Sequence, residues 1–181
     1  MNSATTKSRR RSSALLRHSR LEWKSRACLT GACATSLLFG IATAAAQNVR
    51  LTNLSDVAFS TVALGVDSVR AQSVCAFSSS ATRGYNIKAS GSGANSDFTL
   101  SNGASLLSYE VQWAATSGQT SGAPLIKNVP LNGLTSTATQ QQCNSGPASS
   151  ASLIVIIRSD AASSATAGSY NGNLTLVIAP E

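Results

Sequence analysis

Reactive side chains are few in this chain, and their spacing suits structure better than catalysis. The single histidine, His18, stands among the arginines near the start. No imidazole therefore lies beyond residue 46, which removes Ser-His-Asp chemistry and most zinc sites from the rest of the chain. Asp56, Asp67, Asp97 and Asp160 each stand alone beside Ser, Val, Phe or Ala. Such isolated carboxylates cap turns more readily than they form an acid–base pair. Asp97 and Asp160 do not have the spacing of a calcium loop. The many serines have no G-x-S-x-G setting, and no glycine run has the pattern of a phosphate loop. We therefore expect no catalytic residue, no metal ligand set, no cofactor and no enzymatic activity. Trp113 and Tyr109 would suit a sugar-stacking platform. Their alternation with Gln112 and Glu110, in phase with Leu107 and Val111, points instead to core packing.

Charge and cysteine content divide the chain in two. Residues 1–46 hold eight Lys and Arg against Glu22 alone, whereas residues 47–181 hold six bases and six acids. The basic balance thus belongs to the leader and gives no reason to expect nucleic acid as a partner. The leader joins a long basic stretch to an apolar run richest at Leu37-Leu38-Phe39-Gly40-Ile41, then Ala44-Ala45-Ala46. That order reads as a secretory signal peptide over 1–46, cleaved before Gln47. A retained membrane anchor is the alternative, since the apolar run is just long enough to span. After cleavage no membrane segment remains. Cys28 and Cys33 leave with the leader, so Cys75 and Cys143 form an even pair in an exported chain, which reads as a disulfide. Two free buried thiols are the alternative. A bridge over that separation stabilises by about 4 kcal/mol in the chain-entropy model.

The elements that would hold these residues are strands. Short apolar runs alternate with turn chemistry such as Ser90-Gly91-Ser92-Gly93, Ser101-Asn102-Gly103 and Asn144-Ser145-Gly146-Pro147. This is the pattern of an all-β sandwich forming one domain over 47–181. Strands are predicted over 57–64, 69–77, 84–90, 98–100, 106–114, 151–158 and 173–179, and 161–167 reads as a loop. Leu174, Leu176 and Ile178 recur at period two and share one face of the last strand. Leu153 to Ile157 is apolar at every position. It suits a strand buried on both faces, or one bordering a site that another chain fills.

Four landmarks in order carry a family resemblance: Val74-Cys75, then Gly84-Tyr85-Asn86-Ile87, then Leu107 to Trp113, and a terminal Gly168-Ser-Tyr170-Asn-Gly172-Asn-Leu174-Thr-Leu176. Over about residues 57–181 the chain resembles the spore coat protein U domain family, the subunits of archaic chaperone–usher pili. The resemblance implies an immunoglobulin-like β-sandwich that lacks its last strand and is completed by a donor strand. It implies export to the periplasm and then the cell surface, as a fimbrial subunit in adhesion or biofilm formation. The implied partners are a periplasmic chaperone, an outer-membrane usher and neighbouring subunits. Leu174, Leu176 and Ile178 would form the pairing edge, and Leu153, Val155 and Ile157 would line the groove. Residues 47–56, where Val49 and Leu51 alternate until Asn53, would be a short donor segment. A competing expectation is a self-complete secreted sandwich that serves as an adhesive or carbohydrate-binding module.

Overall fold

The computed structural model describes residues 46–181. The leader read as a signal peptide, apart from its last residue Ala46, lies outside the described residues. Ten strands occur: β1 (Val49–Thr52), β2 (Ser68–Ser78), β3 (Gly84–Gly91), β4 (Thr99–Asn102), β5 (Ser105–Ser108), β6 (Glu110–Ala114), β7 (Ala123–Pro124), β8 (Leu131–Thr135), β9 (Ala151–Ile157) and β10 (Leu174–Pro180). A short helix, α1 (Ser159–Ser164), precedes β10. The chain is an all-β sandwich, as its composition predicts. One antiparallel sheet runs β1-β2-β9-β6-β7, a second runs β10-β3-β8, and β4 and β5 form a separate hairpin. Among the described residues no helix is long and apolar enough to cross a membrane.

Alternation decides what each sheet contributes to the core. In β3, Tyr85, Ile87 and Ala89 are fully buried, while Asn86, Lys88 and Ser90 between them are only half-buried. Directly paired residues share a face. The pairs Leu176↔Ala89 and Ile178↔Ile87 therefore place the apolar side of β10 inward. Opposite them, Leu153, Val155 and Ile157 of β9 and Val111 and Trp113 of β6 complete one apolar cluster. β9 lies between β2 and β6 and is buried at every position, as its uninterrupted apolar run requires. Its outward Ser152 is covered by residues 116–119: its hydroxyl donates to the Thr116 carbonyl at 2.9 Å and accepts from Gln119 N–H at 3.0 Å.

Cys75 and Cys143 form a disulfide with Cα atoms 5.9 Å apart. With Ala138 and Phe77 they make a second, smaller apolar cluster beside the main core. Where the chain crosses between the sheets after β2, the Ser78 and Ser80 hydroxyls donate to the Gly84 carbonyl at 2.7 and 3.1 Å.

Four predicted boundaries need correction. Residues 57–64 form no strand, and among the described residues no strand pairs with them. The run 106–114 is two strands rather than one. It breaks at Tyr109, whose N–H turns to the Phe98 carbonyl, so that β5 pairs with β4 and β6 with β9. The predicted loop at 161–167 begins inside α1, whose first N–H, that of Ser159, is held by the Asp67 carboxylate at 2.9 Å. β1, β7 and β8 lie outside the predicted strands. β1 falls within 47–56, where Val49 to Thr52 pair with Ser78 to Cys75 of the same chain.

Candidate functional site: an open groove beside the last strand

The second sheet stops at β10. One edge of β10 pairs with β3, and among the described residues no strand pairs with the other. Glu181 N–H bonds to the Gly84 carbonyl, so the hydrogen-bonded partners of β3 are the odd-numbered residues of β10. Antiparallel alternation then turns the N–H and C=O groups of Leu174, Leu176 and Ile178 toward the free edge. An unpaired edge with inward-facing aliphatic side chains is a template for another strand.

A groove of about 570 Å³ runs along that edge. Gly172 to Leu176 form one wall. Leu54 to Val57 and Phe59 form the other, and Leu100, Tyr109, Leu153 and Val155 lie between. Of the residues named from sequence, Leu153, Val155, Leu174 and Leu176 meet here. Ile157 is buried in the core instead, and Ile178 packs against the core without lining the groove. Gly172 sits where the wall comes closest to the hairpin, since a Cβ there would lie 2.9 Å from Leu100 Cδ2.

The wall at 53–59 is an extended strap outside either sheet. Val57 and Phe59 pack against the core, whereas Leu54, Asp56 and Ala58 are exposed. Asn53, at φ 63°, turns the chain out of β1, and its side-chain amide donates to the Ala148 carbonyl at 3.3 Å. Beyond Asn53, two side chains of β2 hold the strap. Gln72 Oε1 accepts from Ser55 N–H at 2.9 Å and from the Ser55 hydroxyl at 2.8 Å. Gln72 Nε2 donates to the Ser55 carbonyl at 3.1 Å. Arg70 donates from Nε to the Ala58 carbonyl at 3.3 Å, and its guanidinium stands 5.6 Å from the centre of the Phe59 ring. Arg70 and Gln72 pair with Val155 and Leu153 and so share the inward face of the sheet. Along β2 that face changes from polar Arg70 and Gln72 to fully buried Val74 and Ala76. The change is a sequence signal of a half-open sandwich, and strand periodicity alone passes over it. Nor does periodicity mark Tyr109 and Leu100 as lining.

The aromatic pair expected in the core is buried, Trp113 at 1% and Tyr109 at 7% exposure. Tyr109 also shows at the groove floor. Away from the groove, Arg158 bridges Asp67, at 2.7 Å, and Glu110 on the surface. The Ser159 N–H, and after it Arg158, hold the Asp67 carboxyl below its usual range. The hydrogen bonds to Glu110 and then Asp67 raise Arg158 above the ordinary guanidinium value. Among the described residues no group of three His, Cys, Asp or Glu side chains is placed to hold a metal ion. The groove presents apolar side chains and unpaired backbone, which are groups for binding a peptide strand.

No protein-family model matches this chain, and no curated protein matches it. Among solved structures, a chain of a chaperone–tip adhesin complex described as vital for synergistic activation of CFA/I fimbriae biogenesis aligns with a TM-score of 0.48 and 17% identity. The alignment covers 74% of this chain and 42% of that one, so this chain spans less than half its length.

Proposed function

We propose that this protein is an exported fimbrial subunit whose sandwich is completed by a strand from another polypeptide. In this reading a periplasmic chaperone fills the groove first. The extension of a neighbouring subunit replaces it at an outer-membrane usher, as the resemblance to spore coat U subunits implies. The observation that carries the reading is the free edge of β10, bordering a groove floored by Leu153, Val155 and Tyr109. A strand added there pairs the exposed N–H and C=O groups and covers the apolar floor in one event. The disulfide fits folding in an oxidising compartment. We propose no enzymatic role, and place the mature protein at the cell surface in adhesion or biofilm formation.

The test is thermal unfolding of oxidised 47–181 obtained from a periplasm without a cognate chaperone. Poorly soluble protein that is rescued by a strand-forming peptide is the expected result. A soluble monomer with a sharp, reversible transition that such a peptide leaves unchanged would sink the proposal. It would favour a self-complete adhesive or carbohydrate-binding module.

A further inference from the structure

Leu54 to Val57 and Phe59 wall the groove, yet among the described residues no backbone–backbone hydrogen bond reaches 54–59. Their position is set by side chains of β2, chiefly the carboxamide of Gln72. That group presents an acceptor and a donor at the spacing of a peptide unit. It engages the N–H, hydroxyl and carbonyl of Ser55 together. One side chain thereby does for Ser55 what a neighbouring strand residue would do. An apolar residue would pack readily beside Leu153 on this face. A polar one must find partners, and Gln72 finds them in the strap.

We propose that Gln72 is a positioning residue for strand uptake: it holds Ser55 so that the strap stands as the wall of the groove facing β10. The role rests on the groove being a strand acceptor. With the strap fixed beforehand, an incoming strand meets two prepared walls and does not have to order one of them as it binds. Arg70 supports the same wall three residues further along, at Ala58 and Phe59. Loss of the Gln72 contacts frees the strap, and the consequence falls on how long a bound strand stays.

The experiment compares the full chain with its Gln72→Leu and Gln72→Glu variants. The probe is a labelled synthetic peptide of about a dozen residues in which valine alternates with threonine and lysine. Peptide release and amide exchange at Ser55 and at Ile87 of β3 are followed together. For Gln72→Leu we expect about tenfold faster release and about tenfold faster exchange at Ser55, with Ile87 unchanged. Gln72→Glu keeps the acceptor but not the donor, and should fall between. Release from Gln72→Leu at the wild-type rate, with Ile87 still protected, overturns the role. Should Gln72→Leu fail to fold, wild-type release from Gln72→Glu overturns it equally. If the peptide binds neither wild type nor variant, the strand-acceptor reading falls and this role with it. Equal binding and release by both removes the positioning role alone.

Discussion

The hydrogen bond from Trp113 Nε1 to the Tyr85 hydroxyl, 3.0 Å long, joins the two sheets at the centre of the core. The rings meet edge to face, 6.5 Å apart and inclined at 79°. Both side chains are almost completely buried, so neither polar atom has water as an alternative partner. Tyr85→Phe keeps the ring but strands the indole N–H, a loss of about 1–3 kcal/mol in stability that denaturant unfolding would register. The same substitution changes the alkaline behaviour. Burial raises the Tyr85 hydroxyl above its ordinary value, and the bond from Trp113 offsets only part of that rise. The folded state thus holds this proton more tightly than the unfolded chain. Its contribution is complete below about pH 10 and is lost as the pH rises through the higher folded value. Removing the hydroxyl should flatten one proton's share of that alkaline loss. Tyr109, raised by burial alone, should retain its own share.

Among elements, the start of β2 and the start of α1 are tied together by Asp67, which accepts from Ser159 N–H and from Arg158. Its carboxyl is held low, so its contribution is present above the unfolded value, about pH 4. That contribution is lost as the pH falls through the lower folded value. Asp67→Asn should speed amide exchange at Ala162 near neutral pH, and the gap from wild type should close as the pH falls below about 4. Element by element, the sequence is most legible where apolar residues alternate beside an existing neighbour. β2, β3 and β10 emerge from their apolar spacing and β9 from its unbroken apolar run, because each has a ladder to complete it. The strap has the same alternation at Val57 and Phe59, but periodicity cannot say whether a partner strand exists. Periodicity therefore predicts a strand where the chain forms one wall of an open groove. α1 and β8 escape it because short, Ser-, Ala- and Gly-rich segments owe their structure to tertiary contacts rather than propensity. Examples are the Asp67 cap on Ser159 and the bond from Gly133 N–H to the Glu181 carboxylate, 2.8 Å long. Of the groove's lining, Leu153, Val155, Leu174 and Leu176 are legible in the sequence. Gln72 is not, because a polar residue on the inward face of a strand has meaning only once the facing layer is known to be open.

At the scale of the molecule, the open edge of β10 runs up to Pro180, one residue before Glu181, a point at which a further segment can be joined. This proximity allows the missing layer to be supplied covalently. One added residue after Glu181, then a tight Asn-Gly turn and a strand of alternating apolar residues, would return antiparallel along β10, because the even-numbered positions face the free edge. It would reach the N–H and C=O groups of Ile178, Leu176 and Leu174 in sequence. Its inward side chains would cover Leu153, Val155 and Tyr109. Burial of its aliphatic side chains and pairing of the β10 edge together oppose the entropy lost in ordering the added strand. The net gain should raise the midpoint of thermal unfolding by on the order of 10 °C. A scrambled extension with the same composition but no alternation should leave the midpoint near wild type, because it cannot point its apolar side chains to one face. The extended protein should also no longer take up an added strand-forming peptide, since its groove is filled from within. Stabilisation without that loss of uptake would mean that the added strand pairs elsewhere, at β1, β7 or β8. The edge of β10 would then not be the one that completes the fold.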